Sequence, residues 1–297
     1  MDLLTALPSA VAQGLIWGIM AIGVYITFKI LDIADLTVDG SICTGGAVCA
    51  VLVMNGVNVW LAMICAIVSG MLAGLVTGLF HTLLGIPAIL AGILTQLMLW
   101  SVNLKIMGKA NIAISSRKFP VLISQMKISS AILITLGIAA VLIAILYWFF
   151  GTELGCSLRS TGCNIAMSRA QGINTSKNKI LGLVISNGIV AFSGALLAQY
   201  QGYSDINMGR GAIVIGLAAV IIGEAVFSHF AKNFAVRLCG VLTGGIIYYI
   251  VYQIVIYLGL DTDLLKMFSA LVVALFLGLP HLKKTYFSSK RKKRRCQ

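Results

Sequence analysis

The chain has 297 residues, of which 59% are hydrophobic and only 10% charged, with a mean hydropathy of +1.00. A soluble domain carries about a quarter charged residues, so these figures exclude an ordinary soluble fold and place the chain in a bilayer. The net charge of +13 does not signal nucleic acid, because eight of the 22 basic residues fall in the last fifteen positions: Lys283, Lys284 and the run Lys290 to Arg295. No basic surface with interleaved aromatics is visible. No nucleic-acid partner is expected, and 283–297 reads as a basic cytoplasmic tail resting on anionic membrane lipid.

In chain order, Met1 to Pro8 carries Asp2 and no basic residue, so the first apolar run is expected to be a retained span rather than a cleaved signal. Runs approaching the ~20 residues of a bilayer crossing lie near 10–28, 41–54, 59–80, 86–102 and 131–150. Others follow near 180–199, 212–227, 235–257 and 264–279. The expected fold is all-α: a polytopic membrane protein with about 8–9 transmembrane helices, in one domain over 1–282. One short or broken helix is expected near 30–54; the 41–54 and 212–227 runs are short and flanked by glycine. Gly70, Gly74 and Gly78 form overlapping GxxxG steps, read as a close helix–helix contact.

Sidedness follows from the basic residues, which favour the cytoplasm. The tail and the loop bearing Arg159, Arg169, Lys177 and Lys179 are expected inside, with 200–211 outside. Counting back places 105–127 outside as well, although Lys105, Lys109, Arg117, Lys118 and Lys127 run against the rule there. The seven cysteines are odd in number and contain no CxxC, and His81, His229 and His281 stand alone. Neither a disulfide framework nor a metal site is expected.

Two polar stretches carry the chemistry. In 29–41, KILDIADLTVDGS, Asp32, Asp35 and Asp39 interrupt the apolar pattern beside Thr37, Gly40 and Ser41. One reading is an interrupted helix lining a translocation path. The other is a cytoplasmic turn capped by Thr37 or Asp39. Gln96 and Asn187 are polar positions inside spans, read either as path residues or as packing hydrogen bonds. The loop 151–178 is long and polar, with a short helix expected near 161–170; it is either a docking segment or a solvated connector.

The segment GCNIAMSRAQGIN, 162–174, resembles the cytoplasmic signature of permeases in the ribose and branched-chain amino-acid class of ATP-binding-cassette importers. Gly162, Asn164, Gly172 and Ile173 match that pattern, while Met167 stands where the class has alanine. GLAAVIIGE, 216–224, is similar to its AAVxxGG stretch, with Glu224 in place of the second glycine. ADLTVDGS, 34–41, is similar to the hallmark of a subgroup linked to amino-acid uptake, tryptophan and tyrosine among the candidates.

The resemblance implies a non-catalytic permease subunit in the bacterial inner membrane, with a cytoplasmic C-terminus. It implies a coupling helix that meets an ATPase subunit through Thr161, Gly162, Asn164, Ala166, Met167, Arg169 and Gly172. It further implies a second permease copy, an extracytoplasmic solute-binding protein, and ATP and Mg held by the ATPase. The translocation path would then use Asp35, Thr37, Asp39 and Ser41, with Gln96 and Asn187. The absence of a G-x-x-x-x-G-K-[ST] motif fits a chain that cradles no ATP phosphates itself, and no nucleophile–base set is present. The alternative is a secondary transporter driven by an ion gradient.

Overall fold

The structure is a computed structural model that describes residues 3–114, 119, 121–227 and 233–257, together with positions 267, 271 and 274. The expected span 264–279, apart from those three positions, and the tail 283–297 lie outside the described residues.

In hydrocarbon a backbone must close its own hydrogen bonds, so the apolar runs become helices. The order is α1 (Leu3–Tyr25), continued by a π-helical turn over Ile26–Ile30, then α2 (Val38–Met54), α3 (Val59–Thr82), α4 (Ala88–Met107) and α5 (Ile128–Gly151). Next come α6 (Glu153–Cys163), α7 (Ile165–Ala170), α8 (Thr175–Gln201), α9 (Ala212–Phe227) and α10 (Phe234–Tyr257). Among the described residues six helical stretches are long and apolar enough to cross a membrane, and α2 and α9 are shorter apolar helices of 17 and 16 residues. An all-α polytopic membrane fold is therefore observed, with one small addition. Two three-residue strands, β1 (Asn111–Ala113) and β2 (Tyr203–Asp205), pair antiparallel with Ile112 opposite Ser204.

Helix α8 is the centre of the bundle, packed by α1, α2 and α3, while α4 and α5 lie at the periphery. Glycines make this possible. A Cβ on Gly74 would strike the Leu183 carbonyl, and one on Gly194 would strike the carbonyl of Ile42. The GxxxG steps of α3 thus lie directly on α8, which is the close approach that small residues permit in lipid. On the other flank α1 packs on α9 and α10, where Trp17 and Tyr249 stack with centroids 5.9 Å apart.

Sidedness is internally consistent. The β1–β2 pair brings 111–113 and 203–205 to one end of the bundle, and Ser9 on α1 meets the Tyr200 hydroxyl at 3.3 Å there. Helices α6 and α7 lie at the opposite end, where α8 begins.

Candidate functional site

The π-helical turn ends α1 within the bundle, and Asp32 takes a left-handed conformation with φ 55°. Residues 31–37 are irregular, yet Leu31, Ile33, Asp35 and Thr37 are buried. Irregular backbone at membrane depth survives only where protein satisfies it; here the Leu31 and Ile33 amides donate to the carbonyls of Ile26 and Thr27 at 3.1 and 2.9 Å. Asp35 is 1% exposed. One of its carboxylate oxygens accepts from the Thr37 amide at 2.9 Å and the other from Asn187 Nδ2 at 2.7 Å. Ser41 donates to Asn187 Oδ1 at 2.6 Å. The Thr37 hydroxyl meets Thr77 Oγ1 of α3 at 2.7 Å, and Thr77 donates to Thr95 Oγ1 of α4 at 2.9 Å. Asn187 sits near the middle of the 27-residue α8, which puts this network deep in the bundle.

That placement removes the capped-turn reading. Thr37 occupies the N-cap position of α2 but its side chain makes no cap bond, being committed to Thr77. Asp39 caps a different helix. Its carboxylate accepts from the Gly211 amide at 3.0 Å and the Ile213 amide at 2.9 Å, so it closes the first turn of α9. The short helices α2 and α9 therefore begin side by side. A chain segment descends along α2 to reach that point: Cys43 donates to the Ile206 carbonyl at 3.4 Å and accepts from the Gly209 amide at 3.1 Å.

Beside this junction is a slot of about 120 Å³ between α2, α4 and residues 206–210, lined among others by Asp39, Gln96, Trp100, Asn103 and Arg210. Of the six expected path residues, Asp35, Thr37, Ser41 and Asn187 share the buried network, and Asp39 and Gln96 line the slot. Sequence reasoning missed Thr77, Thr95, Asn103 and Arg210. The first three are polar residues inside apolar helices, the signal that singled out Gln96 and Asn187.

At the opposite end, the expected single helix near 161–170 is two helices. Asn164 breaks them apart with an extended backbone, and its side chain caps α7 by accepting from the Met167 amide at 3.0 Å. Asn164, Ala166, Met167, Arg169 and Gly172 are exposed, and Ile165 and Met167 present 40% and 59% of their surface. Thr161 and Gly162, grouped with them in the sequence, belong instead to the inward side of α6. Thr161 is 1% exposed and accepts from Asn178 Nδ2 at 2.9 Å, while Gly162 rests on the carbonyl of Ile30. Arg169 donates to Thr175 Oγ1 at 3.1 Å, which ties α7 to the first turn of α8. Among the described residues no cluster of His, Cys, Asp and Glu is placed to hold a metal.

A helical membrane domain with two short helices that start side by side at a polar break has the architecture of a transport permease. The chain belongs to the family of permease components of branched-chain amino acid transport systems, which it matches over residues 7–278. It is 41% identical over 281 residues to a tyrosine transport system permease protein of Clostridioides difficile (strain R20291), covering 94% of this chain and 92% of that one. It is 34% identical to the uncharacterized protein RP368 of Rickettsia prowazekii (strain Madrid E), covering 94% and 98%. The autoinducer 2 import system permease protein LsrC of Yersinia pseudotuberculosis (serotype O:1b, strain IP 31758) is 31% identical over 196 residues, covering 63% of this chain and 54% of that protein. No solved structure matches the chain.

Proposed function

We propose that this chain is the membrane-spanning half of an ATP-binding-cassette importer for an amino acid, with tyrosine or tryptophan as the favoured class. The tyrosine-transport relative supports the substrate class, and the family membership supports the importer role. The permease would comprise eight or nine spans, counting α2, α9 and the 264–279 run, in the bacterial inner membrane with its C-terminus inside. It would pair with a second copy, receive substrate from a solute-binding protein, and leave ATP and Mg to a separate ATPase.

The observation that carries this reading is the link between α7 and the buried break. Apart from Arg169, the exposed residues of α7 are apolar (Ile165, Ala166, Met167 and Ala170), suited to a groove on a cytoplasmic partner. Behind it, Gly162 bears on Ile30 and Gly182 on Leu31, and Leu31 leads directly into the run that holds Asp35 and Thr37. A push on α7 would thus be delivered to the polar break. No bond chemistry is needed; the chain would convert movement of its partner into a change of opening.

The test is ATP-dependent uptake in proteoliposomes holding the complete importer. Met167→Glu places a charge at the apex of α7 and should abolish stimulation of ATP hydrolysis by loaded binding protein, while the chain still inserts. Normal coupling in that variant would overturn the docking assignment. The buried Asp35 carboxylate favours a second reading, an ion-driven transporter. Gradient-driven uptake by the purified chain alone, without ATP, would establish it.

A further inference from the structure

Asn103 is 1% exposed, and among the described residues neither its amide nitrogen nor its amide oxygen has a hydrogen-bond partner. A buried amide left unpaired costs about 1–3 kcal/mol, so a fold would not keep it for stability. Leucine at that place in an apolar helix would serve packing better. Asn103 is also among the residues lining the slot beside the α2–α9 junction, with Asp39, Gln96, Trp100 and Arg210. Arg210 is exposed and makes no ion pair among the described residues. The slot therefore combines one carboxylate, one guanidinium and two carboxamides, with an indole at its rim.

We infer that this slot is a subsite that holds the zwitterionic head group of an amino acid during transit. The inference rests on the amino-acid reading above and locates where that substrate is gripped. Arg210 takes the carboxylate in a fork of N–H donors. The ammonium group is taken by Asp39, whose oxygens keep lone pairs beyond the two backbone bonds they accept, and by the amide oxygens of Asn103 and Gln96. A volume of about 120 Å³ fits such a head group and not a whole aromatic amino acid. The side chain of the substrate then extends past Trp100 and Leu97, which are 44% and 63% exposed. Opposite charges lining one slot suit a zwitterion and disfavour a simple anion or a neutral sugar.

The experiment uses the full chain in lipid nanodiscs and labelled L-tyrosine as probe, with tyramine and 3-(4-hydroxyphenyl)propionate as competitors that lack one charge each. Wild type should bind L-tyrosine, and each competitor should bind at least about tenfold more weakly, the loss expected for one missing charge-assisted contact. Asn103→Leu should hold or raise the melting temperature while losing binding by about tenfold or more, a split that a structural role would not give. Arg210→Gln should lose binding of L-tyrosine but leave that of tyramine unchanged. Absence of binding by wild type, or equal binding by both variants, overturns the subsite. Uptake of L-tyrosine, L-tryptophan and L-leucine by cells expressing the complete importer separates the two claims. Normal uptake by both variants sinks the subsite alone, whereas failure of wild type to import any of the three sinks the amino-acid reading and the subsite with it.

Discussion

Asp35 and Asn187 are both buried, and Asn187 Nδ2 satisfies the Asp35 oxygen that the Thr37 amide does not, while also donating to the Leu183 carbonyl. Removing one partner strands the second, at a cost of about 1–3 kcal/mol and more for a charged group, whereas removing both is far cheaper. Asn187→Leu should therefore lower the melting temperature in detergent markedly. Asp35→Leu combined with Asn187→Leu should recover part of that loss, with a coupling of about 1–3 kcal/mol in a double-mutant cycle. Additive losses would show that the pair acts independently. Gly162 offers a second test at this scale. A methyl group there meets the Ile30 carbonyl, so Gly162→Ala should force α6 away from the break and lower transport more than it lowers expression. Uptake normalised to membrane-inserted protein measures that split.

Among the elements, α9 depends on a cap supplied from α2. Loss of a side-chain cap costs about 0.5–2 kcal/mol, and asparagine retains the acceptor that alanine lacks. Asp39→Ala should thus destabilise the protein by roughly 1 kcal/mol, with Asp39→Asn in between, as read by thermal unfolding. The α2–α8 contact is less forgiving, because backbone meets backbone there. Gly194→Leu would drive a side chain into the Ile42 carbonyl and should prevent accumulation of folded protein in the membrane. Much of this was legible beforehand: the apolar runs gave the helices, and the brevity of 41–54 and 212–227 marked α2 and α9. The partner of Asp39 was not legible, since Gly211 lies 172 positions away and no local pattern joins them. The break at Asn164 was hidden for another reason, because the residue serves equally as an interior polar position or as a cap, and only tertiary packing of α6 decides.

For the molecule as a whole, the ribbon β1–β2 and the ledge α6–α7 stand at opposite ends, so one of them must face each side of the membrane. If the basic residues of 159–179 set the orientation, Lys109 is outside and Cys163 inside. In a chain otherwise free of cysteine, Lys109→Cys should react with a membrane-impermeant maleimide in intact cells. Retained Cys163 should react only in inverted vesicles. The reverse pattern would invert the topology. The basic residues of 105–127 argued against this placement from sequence alone. The structure pins part of that segment to the end of α8, with Ile114 donating to the Gly202 carbonyl at 2.7 Å and Leu122 to Gln199 Oε1 at 3.1 Å. A segment anchored by such bonds is positioned by the fold and not by its charges.

The carboxylate clamp of Asp39 has a further consequence for motion. Because its two oxygens grip the first turn of α9 from the first turn of α2, neither helix can tilt without stretching bonds of 3.0 and 2.9 Å. Helix α2 runs toward the ribbon end and α9 toward the ledge end, so the clamp ties together two helices that lead to opposite ends of the bundle. Cutting both bonds, as Asp39→Ala would, should free α9 to move without α2.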